Sequence, residues 1–322
     1  MKYFKYRVPY KLIYDKINSI NSINRINFFI DLQSIARGLY SKTVQFEEIN
    51  QYLETKKMPT LMIDELRQFL NEIYNKFKAY NPKFIIFMDS GKALQTKSLD
   101  SDYKSDRSSK YNKILEDEER EIHRSIKNYY FEKISEVLPS QNLCAVVYDK
   151  IYEMDFLPHY CIDKGFCSSK LQSTVNIIFT SDKDLLQTCK FNNTFLATSI
   201  YSKKQIQMNL WDREDCIRYI YPNHLKGGLT AEFIPLILAI SGDKADNIPN
   251  VKKGLGIVHT IELLSYNDIP PIFTENFTLP NKIEPYKSQI LKNLKLTSFE
   301  LQIRRIPEPD LLNFNKKLSL IS

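Results

Sequence analysis

Four short apolar runs each finish in an aspartate: NFFID at 27–31, KFIIFMD at 83–89, NLCAVVYD at 142–149 and NIIFTSD at 176–182. Runs of this length without a polar face are the pattern of buried, parallel strands. Between the first two, Leu61, Met62, Leu66, Phe69, Leu70, Ile73, Phe77 and Tyr80 recur at helical spacing, and Pro59-Thr60 supplies a start signal. Strand, helix and strand in that order predict an α/β fold, a mostly parallel sheet flanked by helices that binds ligands at the carboxyl ends of its strands. Asp31, Asp89, Asp149 and Asp182 then gather along one edge. One aspartate after a strand is ordinarily a cap or turn former. Four along one edge cannot all ionise in a partly buried cleft without cations, and an all-oxygen donor set suits Mg²⁺ or Mn²⁺ rather than zinc.

A second acidic stretch, SGDKADNIPNVKKGLG at 241–256, places Asp243 and Asp246 three positions apart, on one face of a helical turn, where like charges repel unless a cation lies between them. Gly254 and Gly256 let backbone approach a ligand closely, and Lys252 and Lys253 favour an anionic one such as a phosphate. Metal on one side and phosphate on the other point to nucleic-acid chemistry. The pattern around it is helix, proline-glycine loop, helix from Thr230 to Leu264, and beyond Tyr266 the chain is proline-spaced, basic and weakly periodic.

Composition narrows the class further. The 322 residues are 43% hydrophobic with a net charge of +7, enough for a sizeable core and a mild bias toward a polyanionic partner. Both ends are basic, whereas EDEERE at 116–121 is acidic. Five cysteines without a C-x-x-C pair exclude a disulfide framework and a zinc site, and fit a reducing cytoplasm. The longest apolar run, FIPLILAI at 233–240, is too short to span a bilayer, and no signal peptide precedes it, so a membrane role is not expected. His123, His159, His224 and His259 lack ligand spacing and read as structural or surface residues.

In this order FFIDLQSIARGLY, IIFMD followed by DYKSDR, TSDKDLLQ and SGDKADNIPNVKKGLG resemble the 5′-nuclease family, which includes flap endonucleases, the 5′-nuclease domain of bacterial DNA polymerase I and the bacteriophage 5′ exonucleases of the ribonuclease H type. The resemblance covers residues 27 to about 265. It implies a 5′-3′ nuclease acting on 5′ ends or flaps of DNA or RNA–DNA duplexes in a bacterium or phage-infected cell. It further implies two Mg²⁺ ions, replaceable by Mn²⁺, of which one generates the hydroxide nucleophile and the other stabilises the leaving 3′ oxygen. Asp31, Asp89, Asp182, Asp184, Asp243 and Asp246 fall on the family's metal-site positions, and Asp-x-Asp at 182–184 in extended backbone puts both acids on one face. Glu153 and Asp155 of YEMDF fall on a motif that usually reads Glu-Ala-Asp-Asp, with Phe156 in place of its last acid. The residues themselves would instead nominate Asp149.

The resemblance also implies a helical arch at about 103–140, with Tyr103 contacting DNA and with Lys104 and Arg107 one turn apart facing the scissile phosphate. A helix-hairpin-helix at about 230–265 grips duplex phosphates through Lys252, Lys253, Gly254 and Gly256 and offers a K⁺ position. The expected organisation is a basic extension at 1–26, an α/β nuclease domain at 27–229 and a helical duplex-binding region at 230–322, in a monomer that meets polymerase or single-strand-binding protein in trans. Two other readings stand beside it. A non-catalytic DNA-binding relative is suggested by Phe156, and a small-molecule phosphohydrolase by the sheet, although Asp31-Leu32-Gln33 lacks the second acid that such enzymes carry.

Overall fold

The pleat of the strands divides the apolar side chains between two cores. Ile26, Phe28 and Ile30 of the first strand point to one face with Ile86, Ile177 and Phe179, whereas Phe29 points to the other with Phe87, Val147 and Ile178. The computed structural model describes residues 8–39, 50–57, 61–89, 122, 125, 129, 144–149, 151–166, 174–201, 206–223, 228–266 and 279–319. Its strands are β1 (Arg25–Asp31), β2 (Pro82–Asp89), β3 (Cys144–Asp149), β4 (Thr174–Phe179), β5 (Thr194–Tyr201) and β6 (Ile206–Trp211). They form one sheet in the order β3-β2-β1-β4-β5-β6, parallel except for β6.

That order sets the location of the site. The chain lays β2 and β3 outward from β1, then returns to place β4 on the other side of β1. Connections diverge between the carboxyl ends of β1 and β4, and this switch point is where a doubly wound sheet opens a crevice. The register there is fixed by a buried amide pair: Asn27 Nδ2 donates to Asn176 Oδ1 at 2.9 Å, between residues that are direct partners in the β1–β4 ladder. A slip of one residue would break this bond and turn every side chain to the opposite face.

One face is closed by α1 (Tyr10–Asn18), α2 (Leu32–Leu39) and α3 (Leu61–Phe77). Helix α3 buries Leu66, Phe69, Leu70, Ile73 and Phe77 of the expected stripe, and also Ile63, which was not part of it, at about 2 kcal/mol for each fully buried side chain. Phe77 packs against Tyr14 of α1 and Phe28 of β1, with ring centroids 4.8 and 5.4 Å away. The helix α1 of the N-terminal extension therefore lies on the sheet, and Lys16 closes the contact with an ion pair to Asp212 at 2.7 Å.

The opposite face is closed by α4 (Leu157–Asp163), α5 (Cys216–Ile220), α6 (Ile234–Ser241), α7 (Ile257–Ser265), α8 (Lys287–Thr297), α9 (Phe299–Ile303) and α10 (Glu308–Leu318). Helix α6 is apolar all round and buried from Ile234 to Ile240; no helix among the described residues is long and apolar enough to cross a membrane. The weak periodicity after Tyr266 conceals three helices. They are built into the same core as the strands, through Ile290, Leu294, Phe299 and Phe314. Their buried faces also carry Asn293, Thr297 and Gln302, and such polar positions interrupt an apolar repeat.

Candidate metal centre

Two segments meet at the crevice, the turn after β4 and the turn after α6. The strand expected to reach Asp182 stops at Phe179, because Thr180 and Asp182 turn their side chains onto the backbone. Thr180 Oγ1 accepts from the Asp182 amide at 2.9 Å, and Asp182 Oδ1 accepts from the Asp184 amide at 3.1 Å. Asp182 is thus the N-cap of a 3₁₀ segment, Lys183–Lys190, in place of the extended Asp-x-Asp expected from the spacing. Asp184 lies in the first turn.

The second segment follows α6. Gly242 ends that helix at φ +72°, and a Cβ there would lie 2.5 Å from the Asn250 amide nitrogen and 2.6 Å from the Ile248 carbonyl oxygen, so only glycine fits. Asp243 and Ile248 then exchange backbone hydrogen bonds of 2.8 and 2.9 Å, and the Asp246 amide donates to the Asp243 carbonyl at 3.2 Å. The two acids therefore flank a closed turn. They do not sit on a continuing helix, but the closure brings them together as expected.

Asp184, Asp243 and Asp246 each offer a carboxylate oxygen, and these atoms lie within 4.8 Å of one another. Asp243 and Asp246 are buried, whereas the Asp184 side chain keeps 16% of its surface exposed. Lys183 Nζ donates to Asp243 Oδ2 at 2.6 Å and stands 4.0 Å from Asp184 Oδ1, so one ammonium faces both segments. Asp184 Oδ1 is buried and accepts no hydrogen bond. Burial, then the neighbouring Asp182, holds the Asp184 carboxyl well above the usual carboxylate range, with Asp246 and Asp243 adding to the effect and Lys183 opposing it. A carboxylate oxygen that is desolvated, crowded by like charges and without a donor is a position for a cation. The donors are all hard oxygens, which fit Mg²⁺ or Mn²⁺.

Asp31 is close but differently held. It is buried at the end of β1, with Oδ2 accepting from Ser34 Oγ at 2.5 Å and Thr180 Oγ1 at 2.7 Å, and Oδ1 accepting from the Ser34 amide at 3.1 Å. Burial raises its pKa, these three donors oppose that, and Asp182 adds to the rise. Thr180 links the two groups, since its hydroxyl donates to Asp31 and accepts from Asp182.

The remaining candidates are not among the three clustered acids. Asp149 caps its own turn, with Oδ1 accepting from the amides of Ile151 at 2.6 Å and Tyr152 at 3.1 Å, which is the role of an ordinary strand-end aspartate. Asp89 ends β2 directly opposite Asp149, and its side chain lies outside the described residues, as do Tyr103, Lys104, Arg107 and all of the expected arch but residues 122, 125 and 129. Glu153 is buried and Asp155 half-buried around the turn Met154–Phe156, which packs against β2 and the Lys183–Lys190 segment. Phe156 is buried in the apolar core, its ring edge-on to Phe314 at 6.2 Å. Lys252 and Lys253 are exposed in the turn before α7, Gly254 adopts φ +84°, and Gly256 is the N-cap of α7. His159 is enclosed by Phe191 and Phe299, and burial, with Lys190 nearby, pushes its imidazole down to about 3. Lys183 was not singled out by the sequence reading; its place between two aspartates in TSDKDLLQ was the available signal.

No protein-family model matches the chain. A curated relative, the 5′-3′ exonuclease of Mycoplasma genitalium, is 30% identical over 144 residues, 44% of this chain and 45% of that protein, so the match spans less than half of the relative. Among solved structures, the bacteriophage T5 D15 protein crystallised with metal ions aligns over 92% of this chain and all of its own, with a TM-score of 0.61 at 16% identity. A pseudo-enzyme–product complex of the T5 D15 flap endonuclease with DNA and metal ions gives a TM-score of 0.63 over 92% of this chain and 99% of that one, also at 16% identity. The T5 5′-exonuclease with bound zinc aligns with a TM-score of 0.57 over the same shares, again at 16% identity. The six-stranded sheet and its helices thus have the 5′-nuclease fold, and the sequence resembles that family.

Proposed function

We propose that this chain is a divalent-metal-dependent, structure-specific 5′-3′ nuclease that hydrolyses phosphodiester bonds at 5′ ends or flaps of DNA or RNA–DNA duplexes, as in primer or flap removal during replication. The observation that carries this reading is the cluster of Asp184, Asp243 and Asp246 at the β1–β4 switch point. The likeness to metal- and DNA-bound T5 structures supports it at the level of the fold. Asp184, Asp243 and Asp246 would hold Mg²⁺, with Asp182 and Asp31 beside them and Asp89, Glu153 and Asp155 completing the acidic edge in the two-ion arrangement that the family resemblance implies. Bound there, the metal supplies positive charge for the scissile phosphate and makes water acidic enough to attack at neutral pH.

The chain's own residues orient and neutralise. Lys183 offsets the acids while remaining partly exposed, and Tyr219, whose hydroxyl donates to the Ser181 carbonyl at 3.0 Å, braces the turn that carries Asp182. Lys104 and Arg107 are assigned to the scissile phosphate, and Lys252 and Lys253 to the duplex backbone, whose phosphates they meet without reading sequence. His159 is enclosed by aromatic rings, and burial lowers its basicity, so it is not assigned the role of general base. The non-catalytic alternative rests on Phe156, and the crowded Asp184 carboxylate argues against it.

The test is to incubate the purified protein with 5′-labelled flap, nicked duplex and RNA–DNA hybrid substrates in Mg²⁺, Mn²⁺ or EDTA. Cleavage near the junction with either ion and none in EDTA is expected. Flap binding without cleavage at every metal concentration would establish the non-catalytic relative instead.

A further inference from the structure

Two buried amides connect the halves of the acidic cluster to a single helix, α8. Gln187 lies three residues beyond Asp184 and is 2% exposed. Its Nε2 donates to the Asp184 carbonyl and to the Thr297 carbonyl at the end of α8, both at 2.9 Å, while Oε1 accepts from the Phe299 amide at 2.9 Å. Asn293, in the middle of α8, is 1% exposed. Its Nδ2 donates to the Ala239 carbonyl at 2.8 Å and the Pro249 carbonyl at 2.9 Å, and Oδ1 accepts from Gln289 Nε2 at 2.8 Å. Pro249 follows Ile248, the residue that exchanges both backbone hydrogen bonds with Asp243.

We propose that α8 and its exit into α9 position the acidic site, with Gln187 and Asn293 as positioning residues that set the separation of Asp184 from the Asp243–Asp246 turn. The proposal rests on the nuclease reading and assigns a part in it to residues 287–299, which carry none of the acids. Apolar packing alone would exclude water here without fixing distance, because it is not directional. Each amide instead uses both N–H groups and its oxygen, and each bonds to backbone next to a carboxylate or to the turn that carries one. A shift of α8 relative to the sheet therefore moves both acidic segments together. Loss of either amide releases one from the other.

The test compares Gln187→Met and Asn293→Leu with Tyr160→Phe. Tyr160 is an internal control, since its hydroxyl donates to Asn315 Oδ1 at 3.0 Å and joins α4 to α10 in the same core, without a bond to α8. Mn²⁺ binding to the DNA-free protein is measured by calorimetry, along with Tm and the Mg²⁺ concentration for half-maximal flap cleavage. Removing a direct hydrogen-bond partner of a metal ligand characteristically weakens binding 10- to 100-fold; the two amides hold the backbone that carries the ligands, and a loss at the low end, about tenfold in Mn²⁺ affinity, is expected for their variants. Tyr160→Phe lowers Tm and leaves Mn²⁺ affinity unchanged. Should either amide variant fail to fold, Gln289→Met removes only the donor to Asn293 Oδ1, and a severalfold loss of Mn²⁺ affinity is expected. Folded variants with wild-type Mn²⁺ affinity, or equal losses in the Tyr160 control, overturn the proposal while leaving the nuclease reading intact. A wild type that neither binds Mn²⁺ nor cleaves any substrate overturns both.

Discussion

Asp31 and Asp184 are both buried acids at the same crevice, yet their surroundings are opposite. Asp31 is enclosed by donors, two hydroxyls and an amide, and shares Thr180 with the neighbouring turn. Asp184 turns one oxygen toward Asp243 and Asp246 without a hydrogen bond and has an ammonium only at 4.0 Å. The first arrangement satisfies its carboxylate within the protein; the second leaves one oxygen open, the position proposed above for a cation. Similar burial therefore gives two environments, and the partners decide which.

The comparison breaks most severely if a further acid can be added to the open group at the position where the family motif carries one. Phe156→Asp tests this. Phe156 packs on Phe314 inside the core, so the substitution removes an aromatic side chain and buries an unpaired carboxylate, at a cost of roughly 5 kcal/mol. Urea denaturation is expected to show a largely unfolded variant, or a folded one with an unchanged Mg²⁺ requirement. A stable variant that needs less Mg²⁺ would move residue 156 into the site and dissolve the distinction drawn above.

Asp184→Asn and Asp31→Asn separate the two environments directly. Losing a metal-holding oxygen should slow single-turnover flap cleavage on the order of a thousandfold, equivalent to ~4 kcal/mol of activation free energy, and abolish most Mn²⁺ binding. Asp31→Asn turns an amide group onto donors and should lower stability by about 2 kcal/mol with a smaller loss of metal affinity. The reverse ranking of metal affinities would place the principal metal position at Asp31.

The same contrast explains what was legible in the sequence. The strands could be read because parallel, doubly covered strands are apolar throughout, and Asp243 and Asp246 because three-residue spacing survives whether the backbone is a helix or a closed turn. Asp182 and Asp184 were both expected in extended backbone; Asp182 has it, but the hydroxyl of Thr180 and the carboxylate of Asp182 start a 3₁₀ turn that carries Asp184. Asp149 has the same sequence context as Asp31, an aspartate closing an apolar run, yet it caps a turn; the difference lies in Thr180, just beyond β4, which donates to Asp31. Gln187 and Asn293 carried no signal, because a lone amide is informative only once its carbonyl partners, 54 and 110 residues distant in sequence, are known.

Lys183→Met sharpens the contrast from the other direction. The ammonium is a fixed internal cation, and removing it leaves the open group more negative. Metal-free stability should fall by about 1 kcal/mol, because the pair is partly exposed, while relief of cation repulsion lowers the Mg²⁺ concentration for half-saturation about fivefold. A weaker Mg²⁺ affinity in calorimetry would mean that Lys183 holds the Asp243 turn in place and does not compete for it.

The smallest effect, and the most direct on the charge argument, is in pH. Burial raises the folded pKa of Asp184 and of Asp31 above that of the unfolded chain, more so for Asp184, where the adjacent acids reinforce it. Between the unfolded and folded values the native state binds the additional proton, so the stability contributed is present at low pH and is lost as pH rises through the folded value. Mg²⁺ takes the place of the proton as counter-charge only where the cluster is ionised. The rise in Tm on adding Mg²⁺ should therefore be greater at mildly alkaline than at mildly acidic pH, by roughly 1.5 °C for each kcal/mol of linkage. Asp184→Asn should flatten that dependence in parallel melts with Mg²⁺ and with EDTA, and Asp31→Asn should preserve most of it, because the hydroxyls of Ser34 and Thr180 already meet that carboxylate. Equal flattening by both variants would show that the two acids titrate as one group and share the cation.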